Sequence, residues 1–126
     1  MKDVHEKILD DNYRMRDEYL ARTSFVKNID IDLNQLELWR AKKDVFAVTD
    51  HNGCLLYPSF QFENNRPIKT ISAILHKTPP DISDWEVALW FETQNEYLDD
   101  KAPQECLKDL YELLQSFEAF TNNTFG

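Results

Sequence analysis

Three histidines, two cysteines and an excess of carboxylates are the residues of this chain that could do chemistry. Their spacing limits what that chemistry could be. His5, His51 and His76 are scattered, and Cys54 and Cys106 stand far apart rather than in a Cys-x-x-Cys pair, so no zinc signature is present. His51 falls in a polar turn, where an imidazole is solvated. Nucleophilic catalysis needs a Ser or Cys held by a His and an orienting acid, and no local Gly-x-Ser-x-Gly motif supplies one. With only two glycines the chain cannot build a glycine-rich phosphate loop. A pair of carboxylates meeting in space is the one catalytic arrangement left open, and most of the carboxylates fall on solvent faces. The expectation is a protein that is not an enzyme and uses no cofactor or metal.

The chain has 126 residues, enough for one domain or two very small modules. Its net charge of −9 is unevenly spread. Residues 1–60 hold nine Lys/Arg against eleven Asp/Glu, and residues 61–126 hold five against twelve. A polyanion would therefore be repelled by the second half but tolerated by the first if its cations cluster. The opening MKDVHEKILDD lacks an apolar core, and no run approaches the roughly 20 apolar residues of a membrane span. A cytoplasmic protein with both thiols reduced and buried and no membrane partner is expected.

Periodicity places the elements. A ragged apolar face (Ile8, Leu9, Tyr13, Tyr19, Leu20) predicts a helix over 6–22, and 23–31 reads as a connection with Phe25, Val26 and Ile29 buried. Asp32 and Gln35 form a capping box opening a second helix with Leu33, Leu36 and Trp39 on one side. Arg40, Lys42 and Lys43 crowd its end, where cations suit the helix dipole. Val45–Val48 and Cys54–Tyr57 read as a β-hairpin closed by Asn52-Gly53, with both turn residues tolerating positive φ. Pro58 ends it, and the extended Ser59–Phe62 lays Phe60 and Phe62 on one face. Pro67 suits the first turn of a third helix carrying Ile68, Ile71, Ile74 and Leu75, stopped by Pro79-Pro80. Ser83-x-x-Glu86 caps a short helix through Phe91, with Trp85, Ala88, Leu89 and Phe91 inward. Residues 93–102 read as a loop. Pro103 opens the last helix, with Cys106, Leu107, Leu110, Leu113, Leu114 and Phe117 on its apolar side, and 121–126 reads as a frayed tail.

This pattern predicts a mainly α fold, a small helical bundle with one β-hairpin. It divides into a winged helix-turn-helix-like module at 1–62 and a helical part at 63–126. A helix followed by a two-stranded wing can enter the major groove, with Asn34 and Gln35 at base edges and Arg40, Lys42 and Lys43 on phosphates. The same three cations equally serve as a plain helix cap, and the wing carries Asp50 and no cation.

The ordered residues also resemble a family. VFAVTDHNGCLLYPSFQF is similar to the strand, Gly, aromatic-Pro, x-Phe-Gln-Phe stretch of small bacterial antitoxin-like proteins. RPIKTISAILHKTPPDISDWEVALWFETQNEYLDDKAP resembles the C-terminal toxin-binding domain of the Xre/MbcA/ParS type. The matches are Arg66-Pro67, Trp85 with Trp90, Asn95 with Leu98, Asp99-Asp100, Lys101 and Pro103. DLNQLELWRAKKDVFAV resembles the degenerate helix-turn-helix that precedes that domain. The resemblance covers residues 15–110. It implies an antitoxin that binds and neutralises a cognate toxin, usually a NAD-consuming RES-domain protein, and that represses its own operon with it. Operator DNA and further copies of the chain are the other partners it allows. Toxin contact would fall on Trp90, Tyr97, Leu98, Asp99, Asp100 and Lys101. Where the family commonly reads Leu-Gly-Gly, this chain has Leu98-Asp99-Asp100.

Overall fold

The computed structural model of the chain describes residues 14–125. Among them the fold is mainly α, with two small antiparallel hairpins where one was expected. Helix α1 covers 14–22, so Ile8, Leu9, Tyr13 and His5 lie outside the described residues. Then follow α2 (Leu33–Ala41), β1 (Val48–Thr49), β2 (Leu55–Leu56), β3 (Phe62–Glu63), β4 (Arg66–Pro67), α3 (Lys69–His76), α4 (Asp84–Glu92) and α5 (Leu110–Phe125). Short 3₁₀ turns stand at Ser59–Gln61, Glu96–Leu98 and Pro103–Glu105. None of the described helices is long and apolar enough to cross a membrane.

Local chemistry explains most of these boundaries. Asp32 is the N-cap of α2, but its carboxylate accepts from the N–H of Asn34 at 3.3 Å rather than from that of Gln35. At the other end the N–H of Asp44 donates to the Trp39 carbonyl and that of Lys43 to the Arg40 carbonyl, with Lys43 at φ 62°. That is a Schellman closure with lysine in the position glycine prefers. Ser83 and Glu86 form the expected capping box on α4.

The first hairpin pairs Val48 with Leu56 and Thr49 with Leu55. Its loop is organised by the Asp50 carboxylate, which accepts from the N–H groups of Asn52 (2.8 Å) and Cys54 (2.9 Å). Only Gly53 takes positive φ there, so the closure is not the two-residue Asn-Gly turn. The two-residue turn occurs in the second hairpin, where Asn64 and Asn65 are both left-handed and Phe62 faces Pro67. Pro67 is therefore the end of a strand, and α3 starts at Lys69 behind Ile68.

Two apolar clusters share the interior. The larger joins Tyr19, Phe46 and Val48 to residues of α3, α4 and α5; the smaller holds Ile31, Leu36, Val45, Ala47 and Tyr57. Residues 45–48 thus divide them, alternate side chains facing opposite clusters. Phe60 packs on the larger cluster and Phe62 on the smaller, because the 3₁₀ turn between them rotates the second ring away. The expected boundary between 62 and 63 falls inside β3, and the larger core crosses it. Ile29, expected to be buried, is 89% exposed at the tip of its turn. The last helix begins at Leu110, not at Pro103, and stays helical to Phe125 where a frayed tail was expected.

Helix α4 is buried on nearly every side through Trp85, Val87, Ala88, Trp90 and Phe91. Phe91 stacks on Phe46 at 5.9 Å, and Trp90 meets Phe117 edge-on at 4.8 Å. Helix α1 closes over this core. Tyr19 meets Trp85 edge-on at 5.5 Å, the Arg16 guanidinium lies 5.3 Å above the Trp85 ring, and Arg22 pairs with Glu92.

One buried polar residue holds the divide between the clusters. The Gln61 side chain accepts from the Phe46 N–H (2.7 Å) and donates to the carbonyls of Phe46 (2.9 Å) and Pro58 (3.2 Å). Gln61→Met keeps the volume and strands these backbone groups. At about 1–3 kcal/mol for each buried group left unpaired, it should lower the unfolding free energy by about 2–5 kcal/mol in urea titration. Lys43→Gly, which relieves a left-handed lysine, should instead raise it by about 0.5–1 kcal/mol.

Candidate functional site

Groups that could react are few, and their partners constrain them. Among the described residues no three His, Cys, Asp or Glu side chains converge as metal ligands. His51 pairs with Asp17 of α1 and so helps dock that helix. Ser72, Asp44 and His76 are the residue types of a hydrolytic triad, but in the wrong order. The Ser72 hydroxyl donates directly to Asp44 Oδ1 at 3.0 Å. His76 Nδ1 lies 2.8 Å from the Ser72 carbonyl, which can only accept, so that nitrogen carries its proton and cannot take one from Ser72. Cys106 is buried, and burial pushes its thiol up, with Lys101 opposing that shift, so the neutral thiol is favoured. Cys54, expected to be buried as well, is exposed where the first hairpin's loop ends.

Two surfaces gather the residues expected to bind partners. The first is α2 and its closing turn. Asn34, Arg40, Lys42 and Lys43 are exposed, whereas Gln35 is half-buried in a cleft of about 740 Å³ beside Trp39. The cations do not all point one way. Arg40 and Lys43 rim a second cleft opposite Asp84, whose carboxyl is pushed up by burial and drawn down by Arg40.

The second surface is the segment 93–103. Asn95 organises it: its side chain accepts from the Tyr97 N–H at 2.8 Å, and its carbonyl accepts from the N–H groups of Leu98 and Asp100. Its own N–H donates to the Lys101 carbonyl, closing the loop on itself. Leu98–Lys101 is a tight turn in which the Lys101 N–H donates to the Leu98 carbonyl and Asp99 and Asp100 are left-handed, at φ 55° and 63°. These are the consecutive left-handed residues of a type I′ turn. The Ala102 N–H donates to Glu105 at 2.8 Å, fixing the exit.

The six residues expected at a toxin interface separate by burial. Trp90 (6% exposed) and Leu98 (3%) belong to the core, and the buried Trp90 indole N–H has no hydrogen-bond partner among the described residues. Tyr97 is 59% exposed, and Asp99, Asp100 and Lys101 are exposed with it. Leu98 anchors the turn, and its neighbours are what a partner can reach. Sequence reasoning missed Gln61 and Asn95 as organisers. The Asn-x-Tyr spacing of an Asx turn was the available signal for Asn95. No local signal existed for Gln61.

The left-handed turn yields a direct test. Asp99→Gly and Asp100→Gly should keep the fold and each raise stability by up to about 1 kcal/mol, while Asp100→Val should lower it by about 1–2 kcal/mol. Thermal melts of the three variants check this.

Against known proteins, no family model matches the chain, and neither a curated protein nor a solved structure matches it.

Proposed function

We propose that this chain is an antitoxin-like binding protein of the bacterial cytoplasm, which docks its 63–126 part on a cognate toxin and neutralises it without chemistry of its own. The partner suggested by the resemblance is a RES-domain, NAD-consuming toxin, and the complex represses its own operon. The observation that carries this reading is the turn at Asp99-Asp100. The family resembled has two glycines there, residues suited to left-handed backbone, and this chain holds two aspartates in that same backbone state. A turn held by its own hydrogen bonds that presents the exposed Tyr97 and two carboxylates suits a partner-contact surface. The burial of Trp85 and Trp90 agrees with a motif in which the tryptophans build the platform.

Co-expression with the neighbouring gene's product tests it. That product alone should arrest growth and deplete NAD, and this chain should relieve the arrest and co-purify with it. Tyr97→Ala should weaken the complex by about tenfold or more, as truncation of an aromatic anchor does. A neighbour that neither arrests growth nor co-purifies would overturn the reading.

A second reading rests on the order of α2, its cationic turn and the β1–β2 hairpin, the helix-then-wing order of a winged helix-turn-helix regulator. In that case the chain alone should hold operator-length duplex at moderate salt. Arg40, Lys42 and Lys43 changed together to Ala should abolish that binding and operon repression.

A further inference from the structure

Helix α5 turns Leu113 and Phe117 into the core and presents another face that neither partner reading uses. Tyr111, Leu114, Gln115, Glu118 and Thr121 follow one another at helical spacing along a groove of about 540 Å³. Lys77, just past the end of α3, forms its other wall. The apolar surface of this groove is open to solvent. Tyr111 is 72% exposed, Leu114 is half-buried, and the exposed Leu110 adjoins Leu114 one turn earlier. The Gln115 side-chain amide donates to the Tyr111 hydroxyl at 2.9 Å, which holds the ring along the helix. Lys77 and Glu118 are both exposed, and neither makes an ion pair within 4 Å among the described residues.

We propose that this groove is where two copies of the chain pair about a twofold axis, α5 antiparallel to α5. Each Tyr111 enters the groove of the other copy, and each Lys77 meets the other copy's Glu118. Self-complementarity selects this occupant. A twofold contact applies one patch to itself, so the patch must hold each feature together with its complement. This one holds a projecting ring beside a groove, and one cation with one anion. Antiparallel packing sets the second copy's Glu118 against Tyr111, which shares its groove with Lys77. The groove is also charge-balanced, in a half of the chain with twelve acids against five cations. Two copies of a −9 chain repel elsewhere and can approach here. A strongly basic partner would gain nothing from one lysine facing one glutamate. The 16 residues of α5 span about 24 Å, so one helix pair forms a small contact and a concentration-dependent dimer.

The test is sedimentation of the full chain over a concentration series, with no other protein present. The chain should pass from monomer to dimer as concentration rises. Tyr111→Ala, at an exposed position that leaves the core intact, should weaken pairing about tenfold or more, as loss of an aromatic anchor does. Lys77→Glu and Glu118→Lys should each weaken it about three- to tenfold, because each sets like charges against one another at both symmetric junctions. An equimolar mixture of those two variants should recover the original affinity, since every junction then joins a lysine to a glutamate. Mixing cannot rescue a pair made within one chain. Glu118→Lys also lowers the net charge, so general repulsion alone predicts the opposite sign for it. A chain that stays monomeric to its solubility limit gives the groove to some other partner and overturns the proposal. So does a dimer indifferent to Tyr111→Ala, or a mixture no tighter than the single variants. Toxin binding is measured separately with Tyr97→Ala, so failure of one reading leaves the other standing.

Discussion

Residues 45–48 run between two apolar clusters, and their backbone must be hydrogen-bonded where water cannot reach it. Val45 and Ala47 face one cluster, Phe46 and Val48 the other. A strand in that position normally has a neighbour on each side. Here the paired part begins only at Val48, and the amide and carbonyl of Phe46 are both satisfied by the Gln61 side chain, which acts as a one-residue strand. The backbone carbonyl of Gln61 in turn accepts from the Ile68 N–H at 2.8 Å, just where the chain leaves the second hairpin for α3. One fully buried glutamine therefore sets the register of the dividing segment, the 3₁₀ turn and the start of α3. That link ties the two halves of the chain, whose apolar residues meet in the larger cluster.

The same constraint decides where function can reside. Helix α4 is enclosed by Phe46, Phe60 and Phe117 on top of its neighbours, so its tryptophans are held in the interior. Each large apolar side chain so buried contributes roughly 1.5–3 kcal/mol. What remains for partners is the rim: the α2 face and its cationic end, the two hairpin tips, the outer face of α5, and the closed loop from Asn95 to Lys101. Two of these rim segments are tied by their own residues, Asp50 in the first hairpin and Asn95 in the last loop.

The features legible in the sequence were those with a local cause. Ser83 and Glu86 cap α4 wherever α4 packs, and Asp32 must begin α2 because a carboxylate there meets free N–H groups. The first hairpin was legible from two apolar runs flanking a Gly. The features that were missed depend on distant partners or on competing local signals. Asn64-Asn65 tolerates a left-handed turn, though less readily than Asn-Gly, but Pro67 behind it also suits a helix start, and pairing with Phe62 decided between the two. Pro103 likewise begins a 3₁₀ turn, which ends at Cys106, and α5 starts only at Leu110. Gln61 looks like any polar residue between two phenylalanines, and nothing in its neighbours reveals that it reaches the backbone 15 residues back. For the candidate site, the exposed Tyr97 was legible because an aromatic in a polar loop has no local reason to be there. The burial of Leu98 was not, since it depends on the packing of that turn against α5.

Two turns of the same backbone type show how chemistry and conformation separate in this protein. Asn64-Asn65 and Asp99-Asp100 are both consecutive left-handed pairs, and glycine would be easier in all four positions. Asparagine is neutral, so the first pair carries only conformational strain. The second pair adds repulsion between adjacent carboxylates in a half of the chain that already holds twelve acids against five cations. Both side chains are exposed, and neither makes an ion pair within 4 Å among the described residues, although Lys101 follows directly in sequence. A cationic surface placed against these two exposed carboxylates would be met by attraction, so under the proposed reading the turn suits a basic partner surface.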